Sequence, residues 1–101
     1  MYLVQILLPL RDNEGQPLPR DIFDSIKLRL TDRYKGLTAY SRSPAEGLWK
    51  PRSKTRRDEI VVYEVMVPDL DLNWWRDYRK LLEQQLRQES IVIRAQETHV
   101  L

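Results

Sequence analysis

The run Ile60-Val61-Val62-Tyr63-Glu64-Val65-Met66-Val67 limits what this chain can become more than any other stretch. Seven of its eight residues are apolar and five are Ile or Val, a composition that suits the pleated interior of a sheet. Pro68 closes it, because proline has no N–H to give to a ladder. Its single charge, Glu64, sorts the alternation. A carboxylate is costly beneath a packed layer, so Ile60, Val62, Glu64 and Met66 fall on an open face, and Val61, Tyr63, Val65 and Val67 on a covered one.

The other elements arrange themselves around that strand. Tyr2 to Leu8 is an apolar run broken only by Gln5, which suits a central strand. A turn cluster, Asp12-Asn13-Glu14-Gly15-Gln16-Pro17, follows it. A helix is then expected, with Pro19 in its first turn, Asp21 and Asp24 near the positive end of its dipole, and Gly36 as a left-handed cap. Ile22, Phe23, Ile26, Leu30 and Tyr34 share one face of it. Leu37 to Arg42 alternates as a strand, Ser43-Pro44-Ala45-Glu46-Gly47 breaks it, and Leu48-Trp49 is placed to resume it. A second helix runs from about Asn73 to Glu89, burying Trp74, Trp75, Tyr78, Leu81, Leu82 and Leu86 behind turn and cap residues Asp69 and Asp71. Ser90 to Gln96 is the last strand.

The order β-α-β-β-α-β in 101 residues predicts one α+β domain spanning 1–101. Right-handed crossovers put both helices on one face of a four-stranded antiparallel sheet, the ferredoxin-like two-layer sandwich, in strand order 4-1-3-2. A chain of this length buries roughly two-thirds of its unfolded surface, so it needs no disulfide or metal to hold a core.

Much chemistry is excluded. With no Cys, thiol nucleophiles, Fe–S clusters and thiolate zinc sites are absent, and a reducing, cytoplasmic setting fits. The single histidine, His99, makes no multi-His metal site, and Asp69 with Asp71 makes a weak one. The three glycines form no phosphate-cradling loop, so no cofactor is expected. The run Tyr2 to Leu10 is too short to span a membrane, and no cleavage site follows it.

The formal charge of +2 is uneven. Lys50, Arg52, Lys54, Arg56 and Arg57 crowd one segment without an acid among them. Taking those five from the 17 Lys and Arg leaves 12 against 15 Asp and Glu, so the rest of the domain is mildly acidic. The segment reads either as an anion or nucleic-acid contact or as a solvated loop that keeps the chain soluble. No aromatic stands on the open face of the two central strands, so the base-stacking surface of RNA-binding sheets is missing and nucleic acid is not the expected partner.

The open sheet face carries the functional expectation. Alternation assigns to it Leu3, Gln5 and Leu7 of the first strand, Thr38, Tyr40 and Arg42 of the second, and Val92, Arg94 and Gln96 of the last. A polar row of Arg94, Gln5, Glu64, Tyr40 and Arg42 then crosses a surface too apolar to face water. A homodimer would cover it, with the row lining the space between two sheets. Two roles stay open for Glu64: a pairing group that sets register, or a general acid/base with Tyr40 and Arg42 or Arg94 holding a small polar or anionic ligand.

The stretch Gly36-Leu37-Thr38-Ala39-Tyr40-Ser41-Arg42-Ser43-Pro44-Ala45-Glu46-Gly47-Leu48-Trp49, followed by Asp58-Glu59-Ile60-Val61-Val62-Tyr63-Glu64-Val65, is similar to a group of small uncharacterised bacterial proteins with a Gly-(Leu/Val)-Thr-Ala strand, a Gly-x-Trp turn and a Val-rich strand holding Glu. The resemblance covers the middle third of the chain and implies a ferredoxin-like domain without naming a catalytic residue. At the level of fold the chain also resembles the dimeric α/β-barrel group, which includes cofactor-free monooxygenases and lactone isomerases. The histidine those enzymes often use has no match here.

Overall fold

A computed structural model describes residues 1–35 and 60–101 in full and residues 38–42 as backbone. The elements are β1 (Tyr2–Pro9), α1 (Arg20–Tyr34), β2 (Thr38–Arg42), β3 (Ile60–Val67), α2 (Leu72–Gln85) and β4 (Val92–Glu97). The architecture is α+β, with an antiparallel sheet and two helices. Strands β3, β1 and β4 form the body of the sheet, and the backbone of β2 pairs along the outer edge of β3, so the order is β2-β3-β1-β4.

Alternation decides which face is covered. Val4, Ile6 and Leu8 of β1 pack with Tyr63, Val65 and Val67 of β3 in a core that also holds Phe23, Ile26 and Leu30 of α1 and Trp75, Tyr78 and Leu82 of α2. Both helices therefore lie on the same face, α1 against β3 and α2 against β4. Glu64 is half-buried on the opposite face, as the cost of a carboxylate beneath the helices requires. Val62 departs from the pattern: it stands in the open-face set yet is buried and lies outside the helix-side core.

The helix ends differ from expectation in instructive ways. The left-handed residue that closes α1 is Lys35, with φ 58°, and its N–H donates to the Thr31 carbonyl. The expected cap, Gly36, lies outside the described residues, as do Leu48-Trp49 and the whole basic segment from Lys50 to Arg57. Helix α2 stops at Gln85 rather than Glu89. Arg87 takes a left-handed conformation there, and the Gln88 N–H donates to the Glu83 carbonyl. At the other end, the Asp71 carboxylate accepts from the Trp74 N–H at 3.1 Å and caps the helix.

Trp74 and Trp75 cannot both point at the core, because neighbours on a helix diverge by about 100°. Trp75 is the buried one and stacks on Tyr34 at 5.5 Å, joining α2 to α1. Trp74 is half-buried at the rim, where the Arg33 guanidinium lies 4.2 Å from its ring centre. Beneath it, burial pushes the Tyr78 phenol up to about 12, against a downward pull from Arg29 and with a smaller upward push from Tyr63. Burial, with Asp24 nearby, also raises Tyr63. Both phenols favour the neutral form in the fold, so what they contribute to stability is present below pH 10 and is lost as pH climbs through their raised values.

Candidate functional site

The site is built from one register position. Gln5, near the middle of β1, stands opposite Glu64 of β3 on one side and Arg94 of β4 on the other. Directly opposed residues share a face, so the three side chains line up across the sheet. Arg94 Nε donates to Gln5 Oε1 at 2.8 Å, and Gln5 Nε2 donates to Glu64 Oε2 at 2.6 Å. The amide can face only one way here, because turning it over would set its NH2 against a guanidinium and its oxygen against a carboxylate.

The chemical consequence is a neutral amide bridging a cation and an anion. Arg94 and Glu64 sit two strands apart, about 10 Å at the usual spacing. Gln5 fills the gap and aligns its dipole between them. Of the Arg94 nitrogens, Nε is the one engaged among the described residues. The guanidinium, on an exposed residue, therefore keeps donors for a further acceptor. Glu64 also interacts beyond the Gln5 bond.

The row differs from expectation at its far end. The register places Thr38 opposite Glu64, Tyr40 opposite Val62 and Arg42 opposite Ile60. The fourth position of the row is therefore Thr38, and Tyr40 and Arg42 lie two and four residues along β2. Reading that offset from sequence requires the register of β2 on β3, which alternation does not supply and a connection this long does not fix. The remaining nucleic-acid candidates, Lys50, Arg52, Lys54, Arg56 and Arg57, lie outside the described residues.

Apolar side chains border the row on both sides. Leu3 and Leu7 are half-buried, while Met66 is 39% and Val92 53% exposed. No polar or charged residue is fully buried among those described, so a single sheet does not by itself enclose the row. Covering it takes a second surface.

The rest of the described molecule offers less. A shallow depression near the end of α2 is lined by residues including Asn13, Glu14, Lys80, Glu83, Arg87 and Gln88. Its central polar groups already hold structure together. Glu83 accepts from the Ile91 N–H at 3.0 Å, and Gln88 donates to the Arg11 carbonyl at 2.7 Å. Among the described residues no cluster of His, Asp and Glu could hold a metal, and no helix is long and apolar enough to cross a membrane.

No known family, curated protein or solved structure matches the chain.

Proposed function

We propose that the chain is a ferredoxin-like domain that associates with a second copy of itself through the open sheet face. The Arg94–Gln5–Glu64 row, enclosed between the two sheets, would then bind a small polar or anionic ligand. The β-α-β-β-α-β reading is supported by the element order, by the sheet order β2-β3-β1-β4 and by the placement of both helices on one face.

One observation carries the functional reading. A hydrogen-bonded polar row crosses the centre of a sheet face whose flanking Met66 and Val92 remain exposed on the single chain. Apolar side chains around a few placed polar groups are the usual make-up of a binding surface. A two-fold pair covers the same patch on both copies. It also encloses the row, which strengthens each charge-assisted contact by excluding water. Arg94, with donors to spare, is the group that would take a carboxylate or phosphate oxygen.

The test is the mass of the protein in solution. Sedimentation equilibrium at micromolar concentration is expected to give about twice the 12.2 kDa of the chain, falling toward the single-chain value on dilution. A mass of 12.2 kDa throughout would overturn the reading.

A further inference from the structure

The face that would bury itself in a dimer is asymmetric in charge, and that asymmetry selects one way of pairing. Arg94 is on β4, Glu64 is on β3, and Gln5 lies between them on β1. When two such faces meet, the two-fold axis must lie in the plane between the sheets. An axis running along the strands reverses the strand order of one copy over the other. An axis running across the strands keeps that order and reverses the strand direction instead.

From this we infer that the axis runs along β1, so that Arg94 of each copy meets the partner's Glu64 and Gln5 meets the partner's Gln5. This rests on the dimer reading above and adds its geometry. The axis across the strands would set Arg94 on Arg94 and Glu64 on Glu64, two like-charge contacts removed from water.

The apolar positions are compatible with the same axis. On β3 and β4, the residues opposite Leu7 are Val62 and Val92, and those opposite Leu3 are Met66 and Gln96. With the axis along β1, Leu7 meets Leu7 of the partner subunit and Val92 meets the partner's Val62, so that level of the interface is apolar on both sides. At the other level this axis sets Gln96 on the partner's Met66, where the axis across the strands would set Gln96 on Val92, so Gln96 costs each pairing one apolar contact and the charges decide between them. Sheets that pack face to face turn by about 30°, and a rotation centred on Gln5 moves residues one strand away by only about 2.5 Å. The pairing therefore tolerates the natural twist of the two sheets.

The chain has no cysteine, which makes the test clean. Arg94→Cys and Glu64→Cys proteins are prepared separately, mixed, and treated with a short bismaleimide. In a mixed dimer the two cysteines face each other, while the Glu64 and Arg94 that remain still pair. The mixture is expected to yield a cross-linked dimer, with each protein alone yielding about tenfold less. As a second measurement, Arg94→Glu and Glu64→Arg are each expected to weaken self-association by about 100-fold, with association restored when the two are mixed.

Arg94→Cys linking to itself as well as the mixture links would overturn the axis. So would single charge reversals that leave association unchanged. In either case sedimentation would still show a dimer, and the failure would belong to the pairing geometry alone. A single-chain mass for the unaltered protein would be the failure of self-association itself.

Discussion

Leu82→Ala is expected to lower the unfolding free energy by about 3–4 kcal/mol, and Leu81→Ala by less than about 1 kcal/mol. The two leucines are neighbours on α2 and chemically identical, so the difference isolates packing. Leu82 is fully buried in the core between α2 and the sheet, whereas Leu81 is 38% exposed. Removing Leu82 leaves a void that the other buried core residues, among them Tyr78 and Leu86 one turn away on either side, cannot fill without leaving their own positions. Removing Leu81 mostly exchanges one exposed surface for another. Urea unfolding with matched m-values measures both. A larger loss at Leu81 than at Leu82 would mean that α2 is turned about its axis by roughly 100° from the packing described, since that is the angle between adjacent residues, and equal losses would mean a turn of about half that.

Val92→Glu is expected to abolish self-association while changing the stability of the single chain by no more than about 0.5 kcal/mol. Val92 is 53% exposed on β4, so a carboxylate there stays in water while the chain is alone. Once two faces meet, that carboxylate is desolvated against apolar side chains with nothing to pair it. Leu28→Glu is the control. Leu28 is 71% exposed on α1, on the helical side of the sheet, and a charge there is expected to leave association as it was. Sedimentation of both variants beside the unaltered protein measures the contrast. A dimer that survives Val92→Glu, or dissociates on Leu28→Glu, would place the contact somewhere other than the open face.

The parts legible in the sequence were those governed by period. The twofold alternation of Ile60 to Val67 around Glu64 assigned the faces of β3, and the burial of Tyr63, Val65 and Val67 agrees with it. The helical stripe Phe23, Ile26 and Leu30 did the same for α1. The expected stripe on α2 takes in both adjacent leucines, but neighbours on a helix diverge by about 100°, and the rotation of α2 against the sheet buries Leu82 and leaves Leu81 at the edge. Ala95, opposite Val4 and so on the helix-side face, is nonetheless exposed, since β4 is an edge strand. The contact of Gln5 with both Glu64 and Arg94 depended on register between strands more than fifty residues apart in the chain. Periodicity gives the face of a residue but not its cross-strand neighbour, which is why Thr38 rather than Tyr40 holds the fourth position of the row.

In the proposed dimer the open sheet face is covered by a second copy of the chain. Relaxation of methyl protons by a soluble paramagnetic probe tests it most directly, because it reads which side chains the solvent touches. At concentrations where the dimer prevails, the methyl groups of Val92 and Met66 are expected to be shielded, those of Leu28 to be fully relaxed, and the shielding to disappear on dilution. Val92 and Met66 methyls that relax at every concentration in keeping with their 53% and 39% exposure on the single chain would contradict it.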